Sequence, residues 1–242
     1  MTRVSTFGEY QGYSDERYDR VTRSSVYAPL RDGVEVAADI YRPGTAQGPA
    51  SERLPVVLMV TRYWRAKQLE DGVIASPLGL LPAGETQIAL NTADIRFHEP
   101  VRPLTLHRLA AHGYVVVVME NRGTGSSFGV MGQPSQQDSE GPLTDGMMNG
   151  IQYDLHDMVE WCAQQPFGNG RVAMAGGSWL GWMQLAAAVG RPPSLQATFP
   201  RVPSALHGHR IFHFGGLFFK GAMVTMGRTL IQLAKGEQDQ MA

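Results

Sequence analysis

The chain has 242 residues, enough for one large domain or two small ones, and its net charge is −1, from 21 basic and 22 acidic side chains. Hydrophobic residues make up 43% and charged residues 18%, which excludes a disordered composition, and the charge balance disfavours nucleic acid as a partner. The single cysteine, Cys162, excludes an internal disulfide framework. The apolar runs are too short to span a bilayer and no signal peptide is recognised, so we expect a cytoplasmic protein with no membrane partner.

The first elements predicted along the chain are antiparallel strands. Residues 1–20 are polar and tyrosine-rich and are expected to form an irregular leader. The pattern then predicts strands over 21–27 and 34–41, joined by a hairpin turn that ends at Gly33. Such a pair belongs at one edge of a sheet.

Buried strands and amphipathic helices alternate after the hairpin. Apolar runs predict strands over 54–60, 114–119, 171–175 and 195–199, and helical spacing predicts helices over 103–112, 151–162 and 179–189. This alternation predicts an α/β core over 21–200, with a mostly parallel sheet and antiparallel N-terminal edge strands. Residues of about 64–101 are too many for an ordinary loop and are expected to be an insertion near the site.

A serine lies in the glycine-rich turn between the strand at 171–175 and the helix that begins at Trp179. Gly176 stands two residues before Ser178 and Gly181 three residues after it, an imperfect match to the nucleophile elbow. In such a turn the serine has a strained backbone, so its neighbours must be small. The N–H of Trp179 then faces the place where a substrate oxyanion develops, at the helix N-terminus. An ordinary glycine turn is the alternative.

Three motifs resemble those of the X-prolyl dipeptidyl peptidase and cocaine esterase family of α/β-hydrolases. Residues 154–181 are similar to its nucleophile region, which contains G-x-S-aromatic-x-G. Residues 120–127, ENRGTGSS, resemble its D-x-R-G-T-G-x-S segment, with Glu120 in place of the usual aspartate. Residues 61–64, TRYW, resemble its T-x-Y segment. The motifs occur in the family's order, and the resemblance covers roughly residues 20–235.

The resemblance implies a serine hydrolase for ester or amide substrates, acyl or X-prolyl peptide-like, that works through an acyl-enzyme on Ser178. It also implies an oxyanion hole made by the Trp179 N–H and the Tyr63 hydroxyl. For Tyr63 the alternative is a half-buried aromatic at a strand end. The expected partners are a small ester, an amide or a short peptide, with no cofactor, and a homo-oligomer is left open.

Two sets of residues near these motifs are interpreted as structural. Asp154 and Asp157 open a helix, where carboxylates offset the helix dipole. Residues 122–125 are expected to shape a turn beside the site.

The base and the acid that a serine nucleophile needs do not follow Ser178 in the order of this fold. That order is serine, acid, histidine, but after Ser178 the only acidic residues are Glu237 and Asp239, and no histidine follows them. We therefore expect both groups in sequence beyond this chain, and we expect residues 201–242 to begin an incomplete helical cap. The alternatives are a truncated, catalytically silent chain or binding scaffold of the same fold, and an enzyme of two polypeptides.

Two further features bear on ligands. His207, His209 and His213 form a cluster, but no cysteine or carboxylate accompanies it, so we predict no metal. No acidic residue lies between Trp161 and Gly236. Family members that select a free amino group need negative charge near it, so this stretch favours ester or acyl substrates over dipeptide release.

Overall fold

The computed structural model describes residues 14–62, 65, 86–89, 103–133, 150–201, 213–214, 217–218, 220–221 and 224. The strands are β1 (Arg20–Pro29), β2 (Glu35–Thr45), β3 (Gly48–Pro49), β4 (Leu54–Thr61), β5 (Thr86–Ala89), β6 (Val115–Glu120), β7 (Gly168–Gly177), β8 (Leu195–Arg201), β9 (His213–Phe214) and β10 (Leu217–Phe218). The helices are α1 (Pro103–Ala111), α2 (Ile151–Gln164) and α3 (Trp179–Gly190).

Eight strands form one mixed sheet across the described residues, in the order β5-β1-β2-β6-β4-β7-β8, with β3 paired to β2. The strands β6, β4, β7 and β8 are parallel neighbours. β2 pairs with β6 in the antiparallel sense, and β1 and β5 continue that edge. The predicted sheet, with its antiparallel N-terminal edge strands, is therefore confirmed.

The helices cover both faces of this sheet. From β4 the chain passes through α1 to β6, the neighbour of β4 on the side of β2. From β6 it then passes through α2 to β7, the neighbour of β4 on the side of β8. Because such crossovers are right-handed, α1 lies on one face and α2 on the other, where it packs against α3. β6 is buried at all six positions: its apolar run predicts this for the first five, and the sixth is the buried carboxylate of Glu120.

The two predicted segments outside the regular core are described only in part. Within the predicted insertion, β5 pairs with β1 at the edge of the sheet opposite to β8, so this part is remote from the serine turn. Within 201–242, β9 and β10 form a short antiparallel pair and Lys220, Gly221 and Val224 have helical backbone. The rest of both segments and residues 1–13 lie outside the described residues, so the helical cap stays a prediction. No helix among the described residues combines the length and the apolar character that crossing a membrane requires.

Candidate active site

Ser178 lies between β7 and α3 with φ 54° and ψ −120°. A positive φ is costly for a residue with a Cβ, and among the described non-glycine residues only Ser178 and Arg191 have one. The Ser178 N–H donates to the Arg201 carbonyl (3.1 Å), and the Ser178 carbonyl accepts from Gly181 (2.9 Å) and Trp182 (3.1 Å). Ser178 itself is exposed. The turn therefore has the strained backbone that the glycine spacing predicts.

The glycines before Ser178 have different packing. Gly176 has φ 138°, and a Cβ there would collide with the side chain of Leu180. A Cβ at Gly177 would make only ordinary contacts, the nearest 3.6 Å from Arg201. Gln184, which is buried, donates through Nε2 to the carbonyls of Gly176 (3.2 Å) and Leu180 (3.0 Å) and so joins the end of β7 to α3. The position two before the serine is therefore the one that must be glycine.

Trp179 begins α3 and is held by its indole ring. Its Nε1–H donates to Asn121 Oδ1 at 2.8 Å, and the Arg62 guanidinium lies 4.6 Å from the ring centroid. N–H groups in the first turn of a helix have no intrahelical acceptor. Within the part of the chain that the structure describes, the Trp179 N–H therefore has no hydrogen-bond acceptor.

Glu120 connects the carboxyl ends of β4 and β6. Its Oε2 accepts from the Ser126 N–H (2.7 Å), and its Oε1 accepts from the Arg65 N–H (3.2 Å). A Cβ on Gly125 would collide with the Glu120 carboxylate, so the second glycine of this motif makes room for that side chain. The Arg65 side chain reaches the fully buried Asp39, with Nη1 2.6 Å from Oδ1.

Arg122 anchors the turn after β6 to two carboxylates. It contacts Asp154 at 2.9 and 2.7 Å and Asp32 at 2.6 Å. Burial alone lowers the pKa of Arg122, but the hydrogen bonds to Asp154 and Asp32 outweigh it and the pKa is raised, so the guanidinium stays charged. Asp157 pairs instead with Arg31. The geometry gives Asp154 and Asp157 structural roles, with arginines as their partners.

Cys162 differs from Ser178 in its exposure: the serine is exposed, whereas the thiol is buried. Cys162 lies on α2 and is fully buried. This burial raises the pKa of the thiol, because a thiolate there would lose its hydration. The chain's only cysteine is therefore not an alternative nucleophile.

Several residues named from the sequence lie outside the described residues. Tyr63, the second oxyanion donor, is one, and its role stays a prediction. His207 and His209 are also outside, while His213 lies in β9. In the part of the chain that the structure describes, no three histidine, cysteine, aspartate or glutamate residues come together as a metal site.

Sequence reasoning missed two residues that hold the turn, Asn121 and Gln184. Asn121 is the first polar residue after the carboxyl end of a buried strand, and that position was a usable signal. Gln184 carried no such signal, because it stands among apolar residues in the middle of α3.

The mixed sheet and the strained serine turn after β7 are those of an α/β-hydrolase. The chain matches the family described as X-Pro dipeptidyl-peptidase (S15 family) over residues 32–241, and it belongs to that family. A Mycobacterium bovis protein assigned as a serine esterase is 32% identical over 184 residues, which are 76% of this chain and 25% of that protein. Cocaine esterase of Rhodococcus sp. is 30% identical over 182 residues, which are 75% of this chain and 24% of the esterase. The chain thus spans about a quarter of the length of these relatives.

One solved structure, a CocE/NonD family hydrolase from Staphylococcus aureus, has 22% sequence identity and a TM-score of 0.49. The match covers 81% of this chain and 32% of that one. A likeness at this level says nothing about activity.

Proposed function

We propose that this chain carries the nucleophile and the oxyanion donors of a serine hydrolase for ester or amide substrates. The observation that carries the proposal is the positive φ of Ser178 in an exposed turn between β7 and α3. Backbone strain of this kind persists only where the surrounding structure maintains it, and it clusters at active sites. In this proposal Ser178 is the nucleophile, and the Trp179 N–H and the Tyr63 hydroxyl stabilise the oxyanion.

The topology of the sheet supports this location. The chain leaves β4 toward β6 on one side and reaches β7 on the other, so the carboxyl ends of β4 and β7 flank a switch point of the sheet. Ligands of open α/β sheets bind in such crevices. Thr61 ends β4 and Ser178 follows β7, and Tyr63 comes two residues after Thr61 in the sequence.

The proposed reaction has two halves. Ser178 Oγ attacks the substrate carbonyl carbon, the carbonyl oxygen becomes negative beside the Trp179 N–H, and the alcohol or amine leaves to give an acyl-enzyme. Water then attacks the acyl-enzyme and releases the acid. The N-terminal end of the α3 dipole adds positive potential where the oxyanion forms.

The proton of Ser178 needs a base, and the base needs an acid to orient it. These 242 residues do not contain an acid followed by a histidine after Ser178, so neither group is assigned among them. For the isolated chain we expect only the residual acceleration that binding and the oxyanion hole provide. Acyl esters are favoured over X-prolyl peptides as substrates because residues 161–236 contain no acidic side chain to bind a free amino group.

A fluorophosphonate probe tests the nucleophile. Because these 242 residues supply no base for Ser178, we expect slow labelling at Ser178, found by mass spectrometry of the modified peptide after long incubation, and loss of labelling in Ser178→Ala. Ser194→Ala is the matched control, because Ser194 precedes β8 and its hydroxyl donates to Glu160 (2.9 Å). Equal labelling of the wild type and Ser178→Ala would contradict the proposal.

A catalytically silent chain or binding scaffold of the same fold is the second candidate. It is kept as an alternative because these 242 residues hold no acid followed by a histidine after Ser178. This candidate predicts a chain that unfolds cooperatively in urea and yet shows no labelling that depends on Ser178.

A further inference from the structure

Asn121 joins three elements around the serine turn. It follows β6 and is fully buried, its N–H donates to the Thr61 carbonyl at the end of β4 (2.8 Å), and its carbonyl accepts from the Thr124 hydroxyl (2.8 Å). Its side chain reaches α3 twice. Nδ2 donates to Met183 Sδ (3.4 Å), and Oδ1 accepts from Trp179 Nε1–H (2.8 Å).

The contact between Asn121 and Trp179 fixes the residue that directly follows Ser178. Trp179 is only 5% exposed, so its Nε1–H has no access to bulk water and depends on the asparagine oxygen. Arg62 lies over the face of the ring, and the Trp182 ring centroid is 5.8 Å away. An indole held at its edge and at its face restricts the Cα of Trp179, and with it the direction of the adjacent backbone N–H.

We propose that Asn121 is a positioning residue for the oxyanion hole, acting through the side chain of Trp179. The inference rests on the proposed function, in which the Trp179 N–H binds the oxyanion. Donors in such a hole act only when they lie within hydrogen-bond distance of the developing charge, so a small rotation of the peptide lowers the rate. Because the bond uses an indole N–H, a phenylalanine at position 179 retains a ring but lacks the donor.

The test is the second-order rate constant for phosphonylation of Ser178 by the fluorophosphonate probe. Asn121→Leu removes the acceptor at similar volume, Trp179→Phe removes the donor, and Asn121→Asp retains an acceptor oxygen. We expect each of the first two to lower the rate by about tenfold, less than the loss of a whole oxyanion donor. We expect Asn121→Asp to stay within about threefold of the wild type, and the double variant to fall no further than either single one.

A general loss of stability is separated from loss of positioning by a control before the amino end of β8, whereas the serine turn follows the carboxyl end of β7. Glu160→Gln weakens the bonds that Glu160 accepts from the Ser194 N–H and hydroxyl (both 2.9 Å), before β8. We expect this variant to have a lower unfolding midpoint and an unchanged labelling rate. If Asn121→Leu does not fold, the labelling rate of Trp179→Phe alone tests the inference.

Three results overturn the inference. The first is a wild-type labelling rate in folded Asn121→Leu or Trp179→Phe, and the second is an Asn121→Asp rate as low as that of Asn121→Leu. The third is that the losses of the two single variants add up in the double variant. If the wild type itself is not labelled at Ser178, the proposed function fails. Hydrogen exchange of the Trp179 amide then decides the positioning role. Faster exchange in Asn121→Leu but not in Asn121→Asp supports it, and equal exchange in both overturns it.

Discussion

Arg122 and Asp154 form a bidentate ion pair, with Nε–Oδ2 2.9 Å and Nη2–Oδ1 2.7 Å, and neither side chain is more than 6% exposed. Arg122 belongs to the turn after β6 and Asp154 to the first turn of α2. The same guanidinium contacts Asp32 in the hairpin turn between β1 and β2. One buried cation therefore connects three distant segments of the chain.

Removing one carboxylate from this cluster is expected to destabilise the fold strongly. Asp154→Ala leaves the buried Arg122 guanidinium with Asp32 alone, and breaking a buried pair costs about 3 kcal/mol or more. Urea unfolding at neutral pH measures this loss. Asp157→Ala is the control, because its partner Arg31 has a side chain 38% exposed and such pairs contribute about 1 kcal/mol or less. Equal losses in the two variants would contradict the prediction.

The stability of the fold is expected to fall in acid through Asp32. Burial opposes ionisation of Asp32, but the hydrogen bonds from Arg122 and from the Val34 N–H outweigh it, so its pKa lies below the usual value. The unfolded chain then binds the proton more readily than the folded chain. The stabilisation is therefore complete above the unfolded pKa of Asp32 and is lost as the pH falls through the folded pKa.

Asp32→Asn tests this pH dependence, because an asparagine cannot titrate. Unfolding free energies measured in urea from neutral pH into the acid range should fall less steeply for this variant than for the wild type. Glu35→Gln is the control for an exposed carboxylate, since Glu35 is exposed at the start of β2. The same acid slope in Asp32→Asn and the wild type would show that another group carries the effect.

Alanine should be damaging at Gly176 and nearly neutral at Gly177, the two glycines before Ser178. Gly176→Ala places a Cβ against Leu180 at φ 138°, and strain of this kind costs about 1–3 kcal/mol. We expect a lower unfolding midpoint and slower labelling of Ser178. Gly177→Ala adds a Cβ with only ordinary contacts and should change both measurements little. The prediction fails if Gly177→Ala is the more damaging of the two.

The thiol of Cys162 should be inert in the folded chain. Its pKa is raised by burial, and a thiol-specific reagent such as iodoacetamide reacts with the thiolate. We expect no modification of the native chain near neutral pH and complete modification in urea. Cys162→Ala should retain the labelling of Ser178 by the fluorophosphonate probe. Rapid alkylation of the native chain would show that α2 opens locally or packs differently.

Patterns local in sequence predicted the sheet and the serine turn. The apolar runs of β4 and β6 can be buried on both faces only in the middle of a sheet that helices cover. The structure places both strands there. The glycine at 176 predicted a strained turn because a side chain two residues before the serine has no space, and its Cβ would indeed collide with Leu180.

Contacts between distant side chains could not be predicted in the same way. Asn121 and Trp179 are 58 residues apart and Arg122 and Asp154 are 32 apart, and no periodicity in the sequence encodes which polar groups meet. The structure also pairs β5 with β1, although TQIA is too short and too polar to predict a strand. The roles of Tyr63 and of most of the segment after Arg201 stay predictions, because these residues lie outside the described part of the chain.

The position of β4 between β6 and β7 has a consequence for how the chain folds. Val56 pairs with Val115 on one side and with Val172 on the other, so neither neighbour of this apolar strand is local. During synthesis β4 emerges long before the second of these strands. Pairing of this kind requires large loops to close first, which makes folding slow. We therefore expect the nascent chain to expose the apolar residues of β4 until β7 has been made, and aggregation in this interval is the hazard that this topology brings.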